Sequence, residues 1–134
     1  MKLTRRYRFS ASHRLDTPAL SEEQNRSLYG KCNNPFGHGH NYVLDVAVVG
    51  EPDESGQIVS REALDALVRE RILARFDHHN LNFDIAELAG IVPTTENLAV
   101  AIENALQHPW PLPAKLYRVR ISETERNIFE LESK

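Results

Sequence analysis

Cysteine, long apolar runs and an excess of basic charge are all missing or scarce in this chain of 134 residues. Its one cysteine, Cys32, cannot form an intramolecular disulfide, so a reducing, cytoplasmic setting is expected. No apolar stretch approaches the ~20 residues of a membrane span, and no signal-peptide apolar run follows the basic residues 1–6. The formal charge of -3 argues against general nucleic-acid binding. We therefore expect one globular domain over residues 1–134 that binds neither nucleic acid nor membrane.

The densest group of chemically active side chains surrounds Cys32. His38 and His40 follow it, and because residues i and i+2 of a strand point to the same face, both imidazoles can bind one metal ion. A third donor is available in His13, at the end of the first β-like run, although a lone histidine there would be a hydrogen-bonded core residue. If the two runs pair, the three imidazoles form a cluster with an open fourth position, which is common for catalytic zinc.

Hydrophobic periodicity predicts the order strand, strand, helix, helix, strand, strand. The expected strands are 3–13, 40–50, 116–122 and 128–131. The expected helices are 61–75, capped by Ser60, and 96–107, capped by Thr94 or Thr95. The second strand is expected to be central because both of its faces are apolar. Residues 15–31 are predicted to be mainly a connection, with room for a short helical turn, and 76–82 a loop. The result is an α+β domain with a four-stranded antiparallel sheet and two helices on one face.

Several segments, in this order and spacing, resemble the 6-pyruvoyltetrahydropterin synthase family. They are FSASHRL at 9–15, GKCNNPFGHGHNY at 30–42, DHHNLN at 77–82, PTTEN at 93–97, and Glu123 ahead of Asn127-Ile128. The resemblance covers nearly the whole chain. It implies a tunnelling fold (T-fold), in which three subunits close a barrel and two trimers stack as a homohexamer, with substrate sites between subunits.

The resemblance also implies a zinc-dependent carbon-oxygen lyase acting on a phosphate ester. His13, His38 and His40 would bind Zn2+, and the substrate would be 7,8-dihydroneopterin triphosphate. Elimination of triphosphate with an internal redox shift would yield 6-pyruvoyltetrahydropterin, as in tetrahydrobiopterin biosynthesis. No nucleotide or redox cofactor is expected.

Three further residues acquire catalytic roles through the resemblance. Cys32 matches the base that removes a proton from the substrate, although it could instead be a fourth zinc ligand or an inert buried thiol. Asp77 and His78 match a proton-transfer pair, in which the carboxylate orients the imidazole. The alternative for this pair is that its side chains merely terminate the preceding helix.

Substrate binding is implied for residues near the end of the chain. Glu123 would accept two adjacent N-H groups of the pterin ring, where the alternative is a solvated charge at a strand end. Thr94 and Thr95 would add ring contacts, although helix capping explains them equally well. The cationic side chains available for the triphosphate stay unassigned: Arg6, Arg8, Arg14 and Lys31.

Two other functions fit part of the pattern. The 6-carboxytetrahydropterin synthase branch, which serves queuosine and other deazapurine pathways, uses the same substrate and releases acetaldehyde. Its members typically have three residues between the cysteine and the His-x-His pair, whereas this chain has five, residues 33–37, as in the pyruvoyl-forming enzymes. Ser60 departs from the Asn or Asp expected before the first long helix. A zinc-stabilised pterin-binding module is the third reading, but it has no use for Cys32, Asp77 and His78.

Overall fold

The structure is a computed structural model that describes residues 1–134. Its strands are β1 (Lys2–His13), β2 (His38–Val49), β3 (His79–Asn80), β4 (Lys115–Ser122) and β5 (Ile128–Glu132). Its helices are α1 (Glu22–Tyr29), α2 (Arg61–Val68, with a π-helical turn Arg69–Leu73 and a last turn Ala74–Phe76) and α3 (Thr95–Gln107). Short 3-10 turns occur at Gly30–Asn33 and Ala86–Leu88. None of these helices is both long enough and apolar enough to cross a bilayer.

The five strands form one sheet in the order β3-β1-β2-β4-β5. β1 and β2 pair antiparallel over their whole lengths, from Lys2 opposite Val49 to His13 opposite His38. β2 also pairs antiparallel with β4, which forms a hairpin with β5. The prediction that the second strand is central is therefore confirmed.

One face of the sheet is covered by α2 and α3, and a hydrophobic cluster of 22 buried residues fills the space between them. The apolar stripes predicted for the two helices supply much of it, including the fully buried Leu64 and Ile72 of α2 and Ile102 of α3. From the sheet, Phe9 and Tyr42 stack with ring centroids 5.1 Å apart. The core thus extends along the sheet to the end that carries the histidines.

The prediction of four strands was wrong by one. Residues 79 and 80 form β3, which pairs parallel with Ala11 and Ser12 of β1 at the sheet edge. The Asp77 carboxylate accepts a hydrogen bond from the Ser10 N-H at 2.9 Å, and this contact begins the pairing. A strand of two residues has no alternation that a sequence pattern can reveal.

The prediction of two helices was also wrong, because α1 occupies residues 22–29 of the segment 15–31, which was expected to be mainly a connection. Its only buried residue is Asn25, so it has no apolar stripe to detect. The signal present was a capping box: Ser21 accepts from the Gln24 N-H at 3.1 Å, and the Gln24 side chain accepts from the Ser21 N-H at 2.9 Å.

An ion pair connects β1 to α2 on the helix-covered face. The Arg5 guanidinium donates to both Asp65 oxygens, at 3.1 and 2.6 Å. The Tyr7 hydroxyl donates to the same carboxylate at 2.6 Å. These contacts explain why a charged residue, Arg5, can lie on the face of β1 that points toward the core. They also lower the pKa of Asp65, mainly through its hydrogen bond to Arg5.

We expect Asp65→Asn to lower the free energy of unfolding at pH 7 by about 1–3 kcal/mol, because hydrogen bonds to a charged group are lost. The folded carboxylate has the lower pKa, so its contribution is complete above the ordinary aspartate value of ~3.9 and disappears as the pH falls through the folded pKa. Urea denaturation of both proteins should show the difference narrowing below pH ~4. Glu70→Gln, at an exposed position of the same helix, is the control. A difference that persists unchanged in acid would contradict this account.

Candidate active site

The pairing of β1 with β2 places three histidines together at one end of the sheet. His13 lies opposite His38, and His40 lies opposite Ala11, so all three side chains share the helix-covered face. The Nε2 atoms of His13 and His40 are 3.1 Å apart, and the ring centroids of His38 and His40 are 4.2 Å apart. The sequence hypothesis that these runs pair and bring the histidines together agrees with this register.

Cys32 joins this histidine cluster from the loop before β2. Its Sγ lies 3.1 Å from His38 Nε2 and 3.9 Å from His40 Nε2. One ligand atom from each of the four residues lies within 4.8 Å of the others. Tetrahedral zinc with ligands at ~2.0–2.3 Å places its donors about 3.3–3.6 Å apart, which is close to the spacing found here. The group could therefore hold a metal ion.

The protonation of the cluster also suits a cation. His13 is only 1% exposed, and its Nδ1-H donates to the Pro93 carbonyl at 3.0 Å, which leaves the Nε2 lone pair pointing at His40. Burial is the main cause that lowers the pKa of both His13 and His40, so both rings are neutral at neutral pH. Neutral imidazoles whose second nitrogen is hydrogen-bonded are the usual form of metal ligands.

The loop that carries Cys32 is held against the end of β1 by backbone contacts. The Leu15 N-H donates to the Cys32 carbonyl at 2.6 Å, and the buried Asn33 amide donates to the Leu15 carbonyl at 2.7 Å. Gly37 has φ +72°, and a Cβ there would lie 2.5 Å from the His13 carbonyl oxygen. Only glycine allows this close approach, so the five-residue loop is positioned by its own sequence.

The electrostatics of the surrounding side chains keep Cys32 protonated. Burial raises the pKa of the thiol, and the Glu123 carboxylate adds to the shift. A divalent cation held by the adjacent imidazoles would favour the thiolate instead. The contacts of Cys32 are compatible both with a base beside a metal and with a fourth ligand.

Glu123 lies one residue beyond the end of β4 and reaches the cluster. Its Oε1 is 3.0 Å from His40 Nε2, and its side chain is 14% exposed. A solvated charge at a strand end would be far more exposed. The carboxylate is therefore available to a ligand that enters beside the histidines.

Asp77 and His78 do not join the cluster. Their side chains contact each other, with Asp77 Oδ2 3.1 Å from His78 Nδ1, at the sheet edge next to Ser10. The hydrogen bond from the Ser10 N-H is the main cause that lowers the pKa of Asp77. The His78 side chain is 82% exposed, and its backbone has φ 60°. The chain thus presents this pair outward rather than toward its own Cys32.

Thr94 and Thr95 lie at the start of α3. Thr94 is the N-cap, and its Oγ1 accepts from the Asn97 N-H at 3.3 Å. The Asn97 amide donates to the Val92 carbonyl at 2.8 Å, which fixes the turn whose Pro93 carbonyl contacts His13. Thr95 is buried, and its hydroxyl has no hydrogen-bond partner.

Sequence reasoning missed the asparagines that hold the backbone around the cluster. Asn82 bonds to both backbone groups of Arg14, at 2.7 and 2.8 Å, just after His13. Asn33 similarly fixes the residues next to Cys32. The only sequence signal for either was its place inside a segment that resembles the family, since an isolated asparagine has no diagnostic pattern.

Known proteins match this chain over nearly its whole length, both in sequence and in structure. A family model described as "6-pyruvoyl tetrahydropterin synthase" matches residues 2–134. A Homo sapiens protein named 6-pyruvoyl tetrahydrobiopterin synthase is 46% identical over 128 residues, covering 95% of this chain and 88% of that protein. A Rickettsia conorii 6-carboxy-5,6,7,8-tetrahydropterin synthase is 30% identical over 122 residues, covering 79% and 80%. The solved structure of Caenorhabditis elegans 6-pyruvoyl tetrahydropterin synthase superposes with a TM-score of 0.92 at 37% identity, covering 100% and 96%.

We expect the cluster to bind one divalent transition-metal ion per chain. Because His40 Nε2 lies between the other donors, His40→Ala should weaken binding by more than the ~10–100-fold that changes to groups supporting a ligand cost. Competition with a chromophoric chelator measures this. His108→Ala is the matched control, since that ring contacts only the Asn104 carbonyl. Equal affinities in both variants would place the ion elsewhere.

Proposed function

This chain belongs to the 6-pyruvoyl tetrahydropterin synthase family, and on that premise we propose that it is a zinc-dependent lyase. Its reaction converts 7,8-dihydroneopterin triphosphate to 6-pyruvoyltetrahydropterin and releases triphosphate, in the cytoplasm. The observation that carries the proposal is the convergence of Cys32 on three imidazoles. That arrangement combines a metal site with a cysteine whose thiolate can accept a proton.

His13, His38 and His40 would hold the zinc ion. The residues fit it because the imidazoles of His13 and His40 are neutral, their nitrogens converge, and the His13 ring is fixed by the Pro93 carbonyl. When bound, zinc supplies Lewis-acid stabilisation of substrate oxygens, which makes the neighbouring C-H bond more acidic. Cys32 lies within reach of the same space.

In this proposal Cys32 accepts the proton from the substrate side chain as a thiolate. The electron pair of the broken C1'-H bond moves into the dihydropterin ring, which takes up protons at N5 and C6 and is thereby reduced, while the C1' hydroxyl loses its proton and becomes a carbonyl. Loss of triphosphate from C3' with the C2' proton leaves an enol, which becomes the methyl ketone by proton transfer. His78, oriented by Asp77, relays protons during loss of the triphosphate. The redox change is internal, so the reaction needs no electron acceptor.

Glu123 would anchor the ring. A carboxylate can accept two adjacent N-H groups in bidentate fashion, and a partly buried carboxylate does so with little competition from water. Its position beside His40 keeps the anchored ring next to the metal ligands. Thr94 and Thr95 would add contacts, with the unpaired hydroxyl of Thr95 the better placed because Thr94 caps the helix.

The assembly proposed is a homohexamer built from two trimers, with each site completed by a second subunit. Support comes from the Asp77–His78 pair, which faces outward at the sheet edge while Cys32 is part of the histidine cluster. Catalysis that uses both requires them to meet. Two copies of this chain can bring them together.

We expect complementation between two inactive variants, Cys32→Ala and His78→Ala. If Cys32 and His78 of one site come from different chains, co-refolding the two variants at 1:1 should restore about a quarter of the sites. The chain that supplies Cys32 carries an intact cysteine in half of the sites, and the chain that supplies His78 independently carries an intact histidine in half. Mixing Asp77→Asn with His78→Ala is the control, since both lesions lie in the same pair and no mixture repairs it. Turnover measured by release of triphosphate reports the result, and no recovery in the first mixture rejects a shared site.

The pyruvoyl-forming reaction is favoured over the 6-carboxy branch by the loop before β2. Five residues separate Cys32 from His38, the spacing of the pyruvoyl-forming enzymes, and the loop lies against the His13 backbone through Gly37. The identity to the human pyruvoyl-forming relative is also higher than that to the Rickettsia carboxy-forming one.

Incubation of zinc-loaded protein with 7,8-dihydroneopterin triphosphate should yield free triphosphate and a pterin that keeps its three-carbon side chain, identified by mass spectrometry. Cys32→Ala should lose activity by at least about 100-fold, because the base contributes on the order of 10²–10⁴. A 6-carboxy pterin with acetaldehyde would assign the chain to the other branch. Substrate that is bound but unchanged would reduce the chain to a binding module.

A further inference from the structure

The hydroxyl of Tyr42 is a buried polar group at this site that has no partner in the chain. The side chain is only 1% exposed, and its OH makes no hydrogen bond. An unpaired buried hydroxyl destabilises the folded protein, and native structures contain few of them. By contrast, the other tyrosine on this sheet face, Tyr7, is paired with Asp65. No contact within the folded chain therefore accounts for the hydroxyl group of Tyr42.

The position of Tyr42 connects it to the cluster. It lies two residues after His40 on β2, so both side chains point to the same face. The ring centroids of Tyr42 and His40 are 5.6 Å apart, and the Tyr42 ring also stacks on Phe9 at 5.1 Å. The ring is thus packed against a histidine of the cluster and against the hydrophobic core.

The Tyr42 hydroxyl is available as a hydrogen-bond donor, because a phenol keeps its proton at neutral pH. Glu123 and Cys32 lie 3.0 and 3.9 Å from His40 Nε2, so Tyr42, Glu123 and Cys32 are all neighbours of the same imidazole.

We propose that Tyr42 is a substrate contact, whose hydroxyl donates a hydrogen bond to an acceptor of the bound pterin ring. The ring carbonyl is the acceptor that fits best, because it lies next to the N-H groups that Glu123 would accept. This inference rests on the proposed function. When the substrate binds, the buried Tyr42 hydroxyl gains the hydrogen-bond acceptor that the chain itself does not supply.

Tyr42→Phe tests this with almost no change in shape. KM for 7,8-dihydroneopterin triphosphate should rise about three- to tenfold with kcat unchanged, as for a contact made equally in ground and transition states. The midpoint of urea unfolding and the metal affinity should stay the same or increase, because no bond of the free protein is lost. Tyr7→Phe is the matched control: it removes a hydroxyl that is bonded to Asp65 at 2.6 Å, so it should lower the unfolding midpoint and leave KM unchanged.

Three results for Tyr42→Phe would overturn the assignment of Tyr42 as a substrate contact. They are an unchanged KM, a fall in kcat alone, and a lowered midpoint of urea unfolding. Direct binding of the same substrate separates this failure from that of the proposed function. If wild-type protein binds without turnover, the lyase proposal fails, and the ratio of the two dissociation constants still decides Tyr42; if wild-type protein does not bind, both fail.

Discussion

The antiparallel register of β1 and β2 is the constraint on which the rest of the site depends. With His13 opposite His38, the three imidazoles share one face of the sheet. A slip of one residue would move one strand's side chains to the opposite face and disperse the donors. The same register pairs Phe9 with Tyr42, so the packing that stabilises the sheet also positions a ring next to His40. Packing and function therefore depend on the same strand pairing.

The end of β1 organises the loops around the cluster. The His78 and Leu81 N-H groups donate to the Ser10 and Ser12 carbonyls at 2.6 and 2.8 Å, which lays the segment 77–82 along the strand. On the other side, the Cys32 carbonyl accepts from Leu15. Backbone contacts of this kind need no apolar surface, and they explain why so many polar residues surround a buried centre. The loops are ordered because the strand offers unpaired donors and acceptors at its edge.

Burial has two electrostatic consequences at the site. It keeps His13 and His40 neutral, and it holds Cys32 and Tyr42 in their protonated forms. All four effects favour the uncharged forms of these side chains. A divalent cation would change that balance by favouring the thiolate, which is the form that the proposed chemistry uses. The exposed Asp77–His78 pair lies outside this environment, which is why the proposed mechanism needs a second chain to bring it to Cys32.

The sequence by itself determined the α+β class, the two long helices with their caps, the central second strand and the residues of the cluster. Those elements have strong periodicity or a distinctive spacing, and both are local properties. Tertiary structure decided the rest. β3 and α1 bury almost no apolar side chains, so hydrogen bonds to distant or polar groups define them instead. The unpaired state of Tyr42 and the outward direction of His78 likewise depend on which neighbours the folded chain supplies, and a linear sequence does not contain those distances.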